Sequence, residues 1–112
     1  MAKYMLMFID DDQAWDNLDA ARASADAEIK KWWTDLAAKG VIESGNALGH
    51  KRDATTVRRV NGKMQVFDGP FIESKEHVGG FALISVPDLD AAIALAKSWP
   101  VGEVEIRPIV EH

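Results

Sequence analysis

Cysteine is absent from this sequence, which excludes disulfides, a thiol nucleophile, iron–sulfur clusters and zinc sites built on cysteine. The sequence also lacks a Gly-rich phosphate loop, a dinucleotide-binding fingerprint and the G-x-S-x-G pattern, so we expect no cofactor. Its three histidines do not have the spacing of metal ligands, and we expect no structural metal. The lack of cysteine fits a reducing compartment. No small-residue cleavage site follows the apolar run over residues 4–9, so we expect no signal peptide and a cytoplasmic protein.

Positive charge is in short supply as well. Lys and Arg number 13 against 18 Asp and Glu, which gives a net charge of −5. Binding to nucleic acid or to an anionic membrane needs clustered Lys and Arg, so we expect neither partner. The apolar run over residues 4–9 is too short to cross a membrane as a helix.

What is present is a chain of 112 residues, of which 47% are hydrophobic and 28% are charged. That composition is typical of an ordered globular protein, and the length predicts one domain over residues 1–112. Residues 4–9 are apolar on both alternating faces, which predicts a strand that is covered on both sides. We expect this strand to stop at the run Asp10, Asp11 and Asp12, and a loop with a short turn around Trp15 and Leu18 to follow.

An apolar stripe at helical spacing predicts the first helix over residues 24–39, with Ser24 as its N-cap and Gly40 as its C′ residue. A second strand is predicted over residues 41–48. The pair Asn61 and Gly62 separates two β-rich runs, residues 55–60 and 63–67, and predicts a β-hairpin because both residues accept a positive φ.

The remaining chain predicts a strand, a helix and a strand. Residues 81–86 are apolar on most of both faces, and Gly79 and Gly80 lead into them. Asp88 is the predicted N-cap of the second helix, which ends before Pro100. The last strand is predicted over residues 103–110, where Pro108 suits either a strand at the edge of a sheet or a bulge.

This order of elements predicts an α+β fold, a ferredoxin-like βαββαβ subunit with an extra hairpin. Two amphipathic helices cover one face of such a sheet, yet residues 4–9 and 81–86 are apolar on both faces. The second face needs another partner, and the simplest partner is the same face of a second copy. We therefore expect a homodimer whose two sheets close over a shared apolar space.

One stretch carries a family resemblance. The run Asp68-Gly69-Pro70-Phe71-Ile72-Glu73-Ser74-Lys75-Glu76, called the signature loop below, resembles the signature of the DGPF group of YCII-related proteins. The opening strand, residues 45–48, residues 55–58, residues 79–81 and residues 103–108 also resemble that family. The resemblance implies a dimeric α/β barrel with a ferredoxin-like subunit, in agreement with the strand pattern.

Some YCII-related enzymes are thought to use a His–Asp pair, with the His near the segment after the first strand. Residues 10–23 of this chain contain several Asp and no His, so we carry no His–Asp roles over.

Two carboxylates of the signature loop are candidate catalytic residues. Asp68 either forms an Asx-type turn before Gly69 and Pro70, or is aimed by that turn into a cavity together with Glu73. In a partly dry pocket, either carboxylate can act as a general acid or base.

The candidate substrate-binding residues are cations and one imidazole. Lys75 and Arg107 either pair with neighbouring carboxylates or hold an anionic or carbonyl-bearing substrate, and Arg58 has the same two interpretations. His50 follows Gly49 at a strand end and is either a surface residue or a group that changes protonation during binding.

Two function hypotheses follow. The first is a small-molecule-binding protein, and more narrowly an isomerase or lyase without a cofactor, because acid–base residues are present without a nucleophile or metal motif. The alternative is a non-enzymatic accessory module, since the resemblance implies an association with a protein partner such as a sigma factor. In a third interpretation, the signature loop only stabilises the dimer.

Overall fold

A computed structural model of the chain describes residues 1–11 and 20–111. Six strands and two helices follow one another in the described part, with a 3-10 turn at Lys51–Asp53. In chain order they are β1 (Ala2–Asp11), α1 (Ala20–Ala38), β2 (Ile42–Ala47), β3 (Thr55–Val60), β4 (Lys63–Asp68), β5 (Glu76–Val86), α2 (Leu89–Lys97) and β6 (Glu103–Pro108).

The main sheet has four strands in the order β2-β5-β1-β6, and every neighbouring pair is antiparallel. The helices connect β1 with β2 and β5 with β6, so the chain has the predicted ferredoxin-like α+β fold. β6 is an edge strand, and Pro108 at its end removes a backbone donor where the loss is tolerated, as predicted.

The core lies between this sheet and the two helices. Leu6 and Ile84 are fully buried in it, and further side chains from both helices pack around them. Aromatic rings pack against one another in the core. Phe8 stacks on Trp99 with ring centroids 4.0 Å apart and contacts Trp32 edge to face, with centroids 5.9 Å apart. The Trp32 Nε1–H donates a hydrogen bond to Ser98 Oγ at 2.8 Å, which satisfies the polar end of a buried ring.

The hairpin of β3 and β4 forms a separate two-stranded sheet. Asn61 and Gly62 occupy its turn with φ of 51° and 79°, as expected for a two-residue loop whose twist matches that of the strands. This prediction is confirmed.

Two helix boundaries are also confirmed by their capping contacts. Gly40 has φ of 74°, its N–H donates to Ala37 O, and the Val41 N–H donates to Leu36 O, which is a Schellman motif. The Asp88 carboxylate accepts from the Ala91 N–H at 2.9 Å and caps α2.

Several predicted boundaries were wrong. The last strand was predicted to reach residue 110 and ends at Pro108. Ser24 is not an N-cap, because α1 begins at Ala20 in an alanine-rich stretch that favours helix. Asp10 and Asp11 do not stop β1, since they pair with His77 and Glu76 of β5. Because these pairs extend the pairing of the two strands, β5 begins at Glu76, whereas the sequence predicted a start at Phe81. Asp12 and the predicted turn around Trp15 and Leu18 lie outside the described residues.

One face of the main sheet carries apolar side chains that do not belong to the core under the helices. Cross-strand partners share a face, so Met5 lies beside Leu83, Met7 beside Phe81, and Ile9 beside Val78. We call this the open face. Its residues on β6 are Glu103, Glu105 and Arg107, which pair with Ile9, Met7 and Met5 respectively.

Candidate functional site

The signature loop leaves the end of β4 and returns to the start of β5. Asp68 is the last residue of β4 and pairs with Thr55, and Gly69 turns the chain with φ of 100°. The Gly69 N–H donates to Ala54 O at 2.8 Å, so the turn is attached to the residue that precedes β3. The positive φ at residue 69 explains the glycine after Asp68.

Side chains donate hydrogen bonds to the backbone of this loop from outside it. Thr56 Oγ1 donates to Gly69 O at 2.7 Å, and Arg58 Nη2 donates to Phe71 O at 3.0 Å. The Arg58 guanidinium also lies over the Phe71 ring, 4.1 Å from its centroid. Thr56 and Arg58 alternate along β3 and share one face of the hairpin, so the loop is held over that face.

The turn at Lys51–Asp53 holds the far end of the loop. Lys51 Nζ donates to Ser74 O at 2.8 Å, and Ser74 Oγ accepts from the Glu76 N–H at 3.2 Å. His50 caps this turn, because its Nδ1 accepts from the Arg52 N–H at 3.0 Å.

The two candidate catalytic carboxylates lie at the beginning and the middle of the loop. Asp68 and Glu73 are both exposed, and the Glu73 carboxylate lies near Gly69. Their assignment as catalytic residues stays a prediction.

The candidate cations occupy different places. Arg58 contacts the loop itself, whereas Lys75 is exposed on it. Arg107 belongs to the main sheet, where its Nε contacts Glu105 Oε2 at 2.8 Å in an exposed ion pair. The structure therefore places Arg58 and Arg107 in two different sheets, and the predicted substrate-binding set stays a prediction.

A cleft of about 490 Å³ lies at one end of the open face, beside the residues with which β5 begins after the signature loop. Apolar side chains and four polar groups from β1, β5 and β6 line this cleft: Ile9, Val78, Val104, Glu76, His77, Glu103 and Glu105. Within the described residues no Lys or Arg lines it. The cleft therefore combines three apolar side chains with three carboxylates and one imidazole.

His77 connects the cleft with the signature loop. Its two ring nitrogens are hidden from solvent, and its ring centroid lies 6.1 Å from that of His50. The structure thus brings the candidate residue His50 to the same end of the molecule as the cleft.

A β-bulge sets the position of His77. Phe8 pairs with Gly80 and Ile9 pairs with Val78, so Gly79 is the extra residue. A Cβ atom at residue 79 would collide with the Asp10 carboxylate, which lies against the glycine. The pair Gly79 and Gly80 inside a strand was the sequence signal of this bulge, because glycine in a strand often marks a close approach.

Sequence reasoning missed the cleft, because the cleft depends on which residues of three distant segments face each other.

In residues 1–11 and 20–111, no group of three or more acidic or histidine side chains is placed to hold a metal ion. Across the same part of the chain, no helix combines the length and the apolar character needed to span a membrane.

Comparison with known proteins gives the family. The model of the YCII-related domain matches residues 2–112. An uncharacterized protein of Rhizobium meliloti (strain 1021) is 39% identical over 61 residues, which cover 50% of this chain and 49% of that protein. The chain thus matches about half the length of that relative, whereas the family model matches nearly all of this chain. The chain belongs to the YCII-related family.

Proposed function

We propose that this protein binds a small organic molecule in the cleft at the end of the open face, and that it acts there as a homodimer. The observation that supports this function is the lining of the cleft, where three apolar side chains and four polar ones come together. Its volume of about 490 Å³ lies within the range of roughly 300–1,000 Å³ that is usual for small-molecule sites.

The lining of the cleft supports acid–base chemistry. Glu76 and His77 lie side by side on β5, and both side-chain types transfer protons in enzymes. We propose a proton transfer of the isomerase or lyase type. Asp68 and Glu73 stay candidates for the same role, since the signature loop that carries them leads directly into Glu76.

The cations of the earlier set have supporting roles in this proposal. Arg58 and its contacts with Phe71 fix the path of the signature loop, and Arg107 orients Glu105 at the wall of the cleft. His50 stands beside His77. Lys75 is exposed, and we propose that it meets an anionic substrate at the entrance.

The homodimer is supported by the open face. Met5, Met7, Ile9, Phe81 and Leu83 form a continuous apolar strip on the two central strands, opposite the face that the helices cover. Two such strips packed together would remove both from water.

A thermal-shift screen of small carboxylates and phenols tests the binding site. We expect at least one compound to raise the melting temperature of the wild-type protein, because a ligand that binds the folded state stabilises it. His77→Gln and Glu76→Gln should remove most of that shift. Glu28→Gln is the matched control, since Glu28 is exposed on α1, which packs on the other face of the sheet.

Three results would contradict parts of this proposal. A shift that survives in both cleft variants would place the ligand elsewhere. If a reaction is found, retained turnover in both Asp68→Ala and Glu73→Ala would remove these two carboxylates as catalytic residues. A complete absence of shifts would favour the alternative, an accessory module that binds a protein such as a sigma factor.

The accessory module has one supporting observation of its own. Phe71 and Ile72 of the signature loop are 59% and 71% exposed, which is unusual for neighbouring large apolar residues and is typical of a protein contact.

A further inference from the structure

The hairpin of β3 and β4 has one face that the signature loop covers in part and one face that the loop leaves bare. The signature loop is held over the face that carries Thr56 and Arg58. On the other face, Val57, Met64 and Val66 are 51%, 57% and 69% exposed. An isolated two-stranded hairpin is at best marginally stable in water, and a bare apolar face adds to that cost. We therefore expect another protein surface to cover the bare face.

The charge on the bare face indicates which surface would fit it. Arg59 lies on this face beside Met64, where its Nη1 makes one long hydrogen bond, 3.4 Å, to Gly62 O. Asp68 lies on the same face at its other end, opposite Thr55. The hairpin as a whole, residues 55–68, carries three basic residues and one acidic residue, in a chain that is acidic overall. A complementary surface has apolar side chains with carboxylates beside them.

The cleft on the open face has that composition. Ile9 and Val78 line it, and Glu76, Glu103 and Glu105 supply the carboxylates. Arg107 offsets the charge of Glu105. Glu76 and Glu103 therefore leave the cleft negative, while the hairpin is positive.

The shape of the subunit favours contact between two copies over contact within one. β3 and β4 form a sheet of their own, apart from the four main strands. The radius of gyration is 16.0 Å, whereas a compact domain of this length has about 13 Å. The molecule measures 46 × 44 × 19 Å, so it is flat and extended. In a two-fold dimer, the hairpin of each copy can reach the other copy, and the contact is made twice.

We propose that the bare face of the hairpin docks into the cleft of a second copy, with Arg59 of the partner subunit beside Glu76 and Glu103. This inference rests on the homodimer proposed above and adds a residue to its site. The cleft is then built from two copies, and the partner supplies the cation that its own lining lacks. A small neutral organic molecule with a carbonyl group is the ligand class that such a composite site would take, because the carboxylates of the lining repel a further anion.

Charge reversal tests this contact without any ligand. The dimer dissociation constant is measured by sedimentation equilibrium for the wild-type protein, Arg59→Glu, Glu103→Arg and the double variant. We expect each single variant to weaken the dimer at least tenfold, and the double variant to recover most of that loss. Lys63→Glu is the matched control, because this substitution makes the same charge change on the opposite face of the hairpin. It should alter the dimer dissociation constant less than threefold.

The outcomes separate this inference from the function it rests on. A monomeric wild-type protein at micromolar concentration would overturn the hairpin contact together with the homodimer, whereas the small-molecule site in the cleft is tested separately by the thermal-shift screen. A wild-type dimer that Arg59→Glu and Glu103→Arg leave unchanged would overturn the hairpin contact alone, as would a double variant no tighter than the single ones. Arg59→Gln, which removes the charge without reversing it, should weaken the dimer about threefold or more, and circular dichroism verifies that each variant folds.

Discussion

Gly45 shows how closely single residues are fitted in this subunit. It lies on β2 opposite Ala82, under the ring of Trp33. A Cβ atom at residue 45 would lie 2.6 Å from Trp33 Cη2 and would also collide with the carbonyl oxygen of Phe81. We expect Gly45→Ala to lower the free energy of unfolding by about 2 kcal/mol, because neither a strand carbonyl nor a packed indole moves easily. Urea denaturation measures the change.

Gly49→Ala is the control for this prediction. A Cβ atom at residue 49 meets open space except for Asp53 Oδ2 at 4.0 Å, so the same addition of a methyl group is tolerated there. Equal stability of Gly45→Ala and Gly49→Ala would contradict the packing of Trp33 on Gly45.

At the residue scale, the sequence predicted those features that local chemistry decides. Asn61 and Gly62 accept a positive φ, Asp88 caps a helix with its own carboxylate, and Gly40 ends one, whatever the rest of the chain does. Ser24 was misassigned as a cap because the alanines before it continue the helix to Ala20. A residue that can cap is a weak signal when its neighbours favour helix.

At the scale of elements, the contact between Arg58 and Phe71 fastens the signature loop to the hairpin. Arg58→Ala removes one hydrogen bond, 3.0 Å long, and one cation–π contact. We expect the Gly69 amide to exchange with solvent about fivefold faster in this variant, because about 1 kcal/mol is lost from the closed loop. Hydrogen exchange followed by NMR measures it, since the Gly69 N–H donates to Ala54 O in the closed loop.

Arg59→Ala serves as the control on the same strand. Arg59 follows Arg58 and lies on the opposite face of the hairpin, away from Phe71, so its removal should leave the exchange of the Gly69 amide unchanged. Equal acceleration in both variants would mean that hairpin charge, and not the contact with Phe71, governs the loop.

The start of β5 could not be predicted from the sequence, for a physical reason. Glu76 and His77 belong to β5 because they pair with Asp11 and Asp10, and the pairing depends on a bulge at Gly79 that no local propensity specifies. The signature loop was found from its residues, whereas the cleft beside it is created by strand register. Sequence reasoning therefore singled out the loop that leads into β5 and missed the cleft beside it.

At the scale of the whole molecule, the subunit is flat and its charge is unevenly distributed. One face of the sheet is covered by helices, and the other presents an apolar strip that ends in an acidic cleft. A basic hairpin stands apart from the main sheet. The excess of apolar strand faces over helices was predictable from residues 4–9 and 81–86, because a strand apolar on both sides needs two covering layers.

The last prediction concerns the open face. Leu83 lies at its centre beside Met5, and Leu83→Lys would place a charge in the proposed interface between two sheets. We expect this variant to sediment as a folded monomer where the wild-type protein is a dimer, because burying an unpaired ammonium costs more than the apolar contact returns. Val110→Lys is the matched control, since Val110 is 71% exposed and lies beyond the end of β6. A dimer that persists in Leu83→Lys would show that the two copies meet elsewhere and leave the open face to a different partner.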